Sequence, residues 1–192
     1  MENINPSLLI CKEIFGVDPG KSNGGIAKFS DRYETWNMKK FYESDDAFEE
    51  MLQFWEYQKS ICKNPMIILE SINTYSGDAK GDDGGKHFGI DKLKAHYAEL
   101  RLSIKRSGIQ YIEVMPRSWQ KYLHYYIDHE DYKVRKDRLK DIAAGNYPQL
   151  KVTAQNADAL HLVEFGRKKL KYDPQYLIVN LKKPIRKVDL FK

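Results

Sequence analysis

Apolar and polar positions along the chain predict short strands first and helices later. Glu13 to Asp18 is an apolar run that predicts a buried strand stopped at Pro19-Gly20, and Gly24 to Ser30 predicts its hairpin partner across a turn holding Lys21, Ser22 and Asn23. Tyr33 to Met38 alternates and predicts a third strand. Ser44, followed by Asp45 and Asp46, predicts a helix start, because side-chain oxygens and negative charge suit the exposed amides there. Phe48, Met51, Leu52 and Trp55 then recur at i, i+3, i+4 and i+7.

Pro65 to Glu70 carries Met66-Ile-Ile-Leu69, a continuous apolar run that predicts a strand covered on both faces and closed by a carboxylate. Ser71 to Gly89 is polar and glycine-rich and predicts a long functional loop. Leu93, Tyr97, Leu100 and Ile104 predict a helix over 91–106, and Gln110 to Met115 another strand. Helices are predicted over 116–126, over 134–144 and from a Thr153 cap to Leu170, while Tyr176-Leu-Ile-Val179 in the tail could add a strand or pack on a partner. A hairpin meander that leads into β-α-β-α-β crossovers makes an α/β protein with a mixed five-stranded sheet and helices on both faces. This order resembles that of the RNase H-like superfamily.

Length and composition fit that picture. At 192 residues, 42% hydrophobic and 31% charged, the chain suits one globular domain over 1–170 with a basic C-terminal extension over 171–192, and excludes disordered or fibrous classes. No stretch approaches the ~20 apolar residues that span a bilayer, so no membrane partner is expected. Cys11 and Cys62 have neither metal nor redox spacing, which suits a reducing, cytoplasmic setting. The net charge of +5 gathers in the second half, at Lys133, Arg135, Lys136, Arg138 and Lys140 and again around Arg167 to Lys171, a distribution that favours nucleic acid over a small acidic ligand.

Three acids carry the candidate chemistry. Asp18 ends the first strand, Glu70 ends the fourth, and Asp158 lies near the start of the last predicted helix. Each has an ordinary structural reading: Asp-Pro-Gly is a common turn, Glu70 a solvated strand end, Asp158 an acid that meets the helix dipole. Together they suit Mg²⁺, which prefers hard oxygen ligands. Two ions about 3.5–4 Å apart would serve an in-line phosphodiester displacement, with Asp18 bridging both and Glu70 and Asp158 each favouring one.

Ile14-Phe-Gly-Val-Asp-Pro-Gly-Lys-Ser-Asn-Gly-Gly-Ile-Ala27, Ile67-Ile-Leu-Glu-Ser71 and Ala157-Asp-Ala-Leu-His161 resemble the motif blocks of RuvC-like Holliday-junction resolvases over 14–170. The resemblance implies paired cutting of four-way DNA junctions and other branched DNA by a homodimer using Mg²⁺ or Mn²⁺, in a bacterial cell or a phage-infected host. The family's fourth ligand, an Asp or His three residues before the final Asp, corresponds here to Gln155. His161, one helical turn after Asp158, could substitute as ligand or proton handler, or could be a packed helix-edge residue. The resemblance also implies a junction-probing aromatic in the loop after Glu70, with Tyr75 first and Phe88 second, and phosphate contacts from Lys133, Arg135, Lys136 and Arg138. A nuclease acting on RNA–DNA hybrids or RNA, and an inactive junction-binding protein, remain alternatives. An actin-like phosphotransferase needs two such domains, which this length does not supply.

Overall fold

The computed structural model describes residues 13–20, 24–72 and 84–182, with side chains in the last stretch described from 91 onward. Five strands, β1 (Ile14–Asp18), β2 (Gly25–Phe29), β3 (Tyr33–Asn37), β4 (Met66–Glu70) and β5 (Gln110–Val114), form one sheet in the order β3-β2-β1-β4-β5. The β1–β2 and β2–β3 pairs are antiparallel, and β1–β4 and β4–β5 are parallel. The helices are α1 (Lys39–Tyr42), α2 (Ala47–Ile61), α3 (Gly84–Ser107), α4 (Pro116–Tyr122), α5 (Tyr132–Asn146), α6 (Ala157–Tyr172) and α7 (Pro174–Asn180). The predicted mixed α/β sheet with helices on both faces is the observed architecture.

Side chains alternate across a strand, so each strand feeds two cores. Phe15, Val17, Ile67 and Leu69 join Met51 and Trp55 of α2 and Leu100 and Ile104 of α3. Their neighbours Ile14, Met66 and Ile68 face the other way, against Trp119 of α4, Leu139 of α5, Leu162 and Phe165 of α6 and Leu177 of α7. The same parity sends Asp18 and Glu70 to the α4–α7 face.

Several predicted boundaries move. The N-cap of α2 is Asp46, which accepts from the Glu49 amide, while Ser44 Oγ accepts from the Asp46 amide one step earlier. Helix α3 begins at Gly84, inside the segment predicted as loop, so the glycine-rich stretch supplies helix as well. Helix α4 stops at Tyr122, short of Tyr126, and α5 begins at Tyr132 because Asp131 caps it through the Lys133 and Val134 amides. Asn156, not Thr153, holds the N-cap position of α6, and its side chain turns back to accept from the Thr153 amide. The run 176–179 lies in a helix and not a strand: Asp173 caps it, Pro174 opens it, and Leu177 packs it on this chain's own core. Among the described residues beyond it, Lys182 pairs with the sheet, donating to Tyr111 O at 2.8 Å. No described helix is long and apolar enough to cross a membrane.

Candidate active site

Asp18 and Glu70 end neighbouring parallel strands whose register pairs Val17 with Leu69, so the two carboxylates follow side by side at the same sheet edge. Ligand sites in open α/β sheets gather at such strand ends. Asp158 arrives from above, in the first turn of α6. Helix α6 can lie that close to β1 because residue 16 is glycine: a Cβ there would stand 2.1 Å from Ala159 O and 2.9 Å from Leu162 Cβ. Gly25 does the same for the turn that enters α6, where a Cβ would stand 2.3 Å from Gln155 O.

Asp18 and Asp158 are only 7% and 3% exposed. Asp18 divides its oxygens: Oδ1 accepts from the Gly20 amide at 3.3 Å, an Asx-type turn, while Oδ2 lies 3.8 Å from Lys136 Nζ. The turn and the acid cluster therefore share one residue. Lys136 Nζ also donates to Asp158 Oδ2, whereas Asp158 Oδ1 is buried with no hydrogen-bond partner among the described residues. Glu70 Oε2 accepts from Trp119 Nε1 at 2.7 Å.

The electrostatics follow from this crowding. Burial, helped by the Asp158 charge and opposed by Lys136 and the Gly20 amide, lifts the Asp18 carboxyl from its ordinary 3.8 to about 6. Burial, then the charges of Asp18 and Asp158, holds Glu70 well above its ordinary range against the pull of Lys136 and the Trp119 hydrogen bond. Burial pulls the Lys136 ammonium down, but the surrounding carboxylates outweigh it and keep it firmly charged. Three acids thus share one resident cation.

The donor set fits a hard divalent ion: all oxygens, one of them an unpartnered buried carboxylate oxygen, in a field that strains two of the acids toward protonation. As the side chains stand, with Lys136 bridging Asp18 and Asp158, no group of three or more acid, histidine or cysteine side chains among the described residues is arranged to hold a metal ion.

The other predicted residues separate. His161 is fully buried, its Nε2 2.8 Å from Leu139 O and its ring stacked on Trp119 and edge-on to Tyr125, and burial lowers its pKa. A carbonyl can only accept, so Nε2 carries the shared proton and the ring is turned into the core; its Nδ1 is buried without a partner among the described residues. Gln155 lies in the turn before α6, where its backbone carbonyl is the close neighbour of Gly25. Tyr75 lies outside the described residues, and Phe88 lies in α3 with its side chain outside them.

The predicted phosphate-binding run points in several directions. Lys133 is exposed. Arg135 lies 5.3 Å from the Tyr132 ring, and Lys136 is in the acid cluster. Arg138 forms paired bonds to Glu130 and a third to Tyr125 O, all at 2.7 Å, so its guanidinium clamps the α4–α5 connection. Of the later cluster, Lys169 is buried against Tyr122 and Tyr176 and bonded to Asp173. Sequence reasoning missed Trp119 altogether. A tryptophan four residues before Leu123 on a short helix is a core signal, and a buried indole N–H seeks an acceptor.

No family model matches the sequence, and no curated protein matches it either. Among solved structures the chain is similar to T. thermophilus RuvC in complex with a Holliday junction substrate, at TM-score 0.54 and 12% identity over 90% of this chain and 99% of that one. It is also similar to a second Thermus thermophilus RuvC structure, at TM-score 0.52 and 11% identity over 90% and 99%. At these identities the likeness is one of architecture, and the chain has a RuvC-like, RNase H-like α/β fold.

Proposed function

We infer that this chain is a divalent-metal-dependent nuclease that cuts branched DNA, four-way junctions foremost, by phosphodiester hydrolysis. The observation that carries this reading is the convergence of Asp18, Glu70 and Asp158 at one sheet edge, two of them held toward protonation and one with a bare buried oxygen. Acids so arranged are stable when a cation joins them. The likeness to RuvC bound to a junction supports four-way DNA as the substrate.

Mg²⁺ or Mn²⁺ held by these three carboxylates, as a pair of ions, would activate water and neutralise charge on the scissile phosphate. Asp18 would offer Oδ2 to such an ion, because the Gly20 amide takes up Oδ1 and fixes the carboxylate plane. Trp119 fixes Glu70 in the same way. Gln155 and His161 are secondary candidates: Gln155 precedes Asp158 by three residues, and His161 keeps its place through Leu139 and Trp119. Lys136 compensates the acids, and with a metal bound there it would be free to meet substrate phosphate. Paired cuts in a symmetric junction imply a homodimer.

A cleavage panel of four-way, three-way, flap, duplex and RNA–DNA hybrid substrates with Mg²⁺ and Mn²⁺ tests the assignment. The expected result is preferential cutting of four-way DNA by the wild type and intact junction binding without cutting by Asp18→Asn. A second reading, a junction-binding protein without catalysis, draws on the Lys136 bridge between Asp18 and Asp158. It predicts binding to junctions and no cleavage of any substrate in either metal.

A further inference from the structure

Beside the acid cluster, two tyrosine rings lie among cations on the outer surface of α4, α5 and the connection between them. Tyr132, 62% exposed at the first position of α5, has Arg135 5.3 Å and Lys136 5.9 Å from its ring centroid. Lys136 also holds Asp158, so one side chain links this ring to the acid cluster. Tyr126, half-buried in the connection, has Arg117 at 4.8 Å and Lys121 at 5.1 Å, both exposed and one turn apart on α4. Arg138 of α5 bonds Tyr125 O at 2.7 Å, which holds the segment that carries Tyr126 against the helix that Tyr132 opens.

The connection is built to hold its shape. His124 and His129 take left-handed backbone, at φ 62° and 57°, which residues other than glycine seldom adopt. Arg138 ties both ends of the intervening segment together through Tyr125 O and Glu130, and Tyr126 Oη donates to Asp128 Oδ1 at 3.0 Å. Rings held this way lose little freedom when a planar group stacks on them. Core packing does not explain them either, since neither Tyr126 nor Tyr132 joins a buried cluster.

We propose that Tyr132, Tyr126, Arg117, Lys121 and Arg135 form a track for an unpaired DNA strand that leads to the acid cluster, with bases stacked on the two rings and phosphates on the three cations. Exposed aromatics interleaved with cations suit single strands, because every base offers a π face while paired bases keep theirs inside the stack. This assignment rests on the nuclease reading and adds to it the strand form that the site receives: a segment opened from its partner strand.

The test is fluorescence anisotropy with labelled oligo-dT in EDTA, so that binding is read without cleavage. Tyr132→Ala and Tyr126→Ala should each weaken binding about tenfold, the scale of one lost base stack, while Tyr132→Phe stays near wild type. Tyr57→Ala, which removes a ring as exposed as Tyr132 from α2 across the sheet, should change nothing. An abasic strand should bind the wild type as weakly as it binds the alanine variants. The track is overturned if the wild type does not bind oligo-dT, if the alanine variants bind it normally, or if they lose as much affinity for the abasic strand. Normal binding by the variants with intact junction cleavage would remove the track alone; a working track without cleavage of any substrate would remove the nuclease reading alone.

Discussion

Trp119 Nε1 donates to Glu70 Oε2 at 2.7 Å, from an indole with no exposed surface, and this bond decides which way the β4 carboxylate faces. Trp119 also stacks on His161, their centroids 5.8 Å apart, so one side chain orients an acid and packs a histidine. Trp119→Phe keeps much of the packing and removes the donor. Leaving a buried carboxyl oxygen without its partner should cost about 1–3 kcal/mol, read as a lower midpoint in urea unfolding. Mn²⁺ binding by calorimetry should weaken in parallel. Unchanged unfolding and unchanged Mn²⁺ affinity together would show that the bond does not orient Glu70.

The raised carboxyls set a pH dependence of stability in the metal-free protein. Asp18 titrates near 6 in the folded chain and near 3.8 when unfolded, and Glu70 is shifted in the same direction. Between those values the folded state binds more protons, so stability is greatest below the ordinary carboxylate range and falls as pH rises through 6. Thermal melts in EDTA should therefore decline from pH 4.5 to 7.5 as far as these two groups govern them. Asp18→Asn should flatten that decline, and Mg²⁺ or Mn²⁺ should raise the melting temperature most at the alkaline end. A wild-type profile identical to that of Asp18→Asn would refute the assignment of the burial effect to Asp18.

Gly16 makes the approach of α6 to β1 possible, and a methyl group there would stand 2.1 Å from Ala159 O. Backbone on both sides leaves no flexible side chain to yield. Gly16→Ala should destabilise by about 1–3 kcal/mol, the usual cost of overpacking. Because the displaced helix carries Asp158, junction cleavage should fall more steeply than stability. Equal cleavage per folded molecule would mean that the position of α6 tolerates the shift.

How much of this was legible in the sequence varies by residue. Asp18 and Glu70 were, because each ends an apolar strand and a period of two sends both to one face. The helical run at 176–179 was not: Tyr-Leu-Ile-Val is short and apolar, and such runs do not separate strand from helix by period. The deciding signal was local, Asp173 before Pro174, a cap and a first-turn proline. Asp158 could be named as an acid, but its place over β1 depends on Gly16, and nothing in one sequence says which glycine another backbone approaches. Lys136 shows the opposite error. Read as one charge in a run it suggested a phosphate contact, yet it precedes buried Leu139 by three residues and Ala143 by seven, on the inward stripe of α5. A lysine on an apolar stripe needs an acidic partner.

That partner relationship yields the sharpest prediction. Lys136 bridges Asp18 and Asp158, so the ammonium and a divalent cation compete for the same carboxylates. Lys136→Gln removes the compensating charge while keeping a polar side chain of similar reach. In EDTA at pH 8 the variant should lose about 3 kcal/mol, the low end for a broken buried pair, because the acids can take up protons instead. Added Mn²⁺ should recover more stability in the variant than in the wild type, and calorimetry should show tighter Mn²⁺ binding with more protons released at pH 6. These signs are opposite to those for Asp18→Asn, which should gain metal-free stability and lose metal affinity. If Lys136→Gln binds Mn²⁺ more weakly than the wild type, the ammonium supports the ion and does not stand in for it.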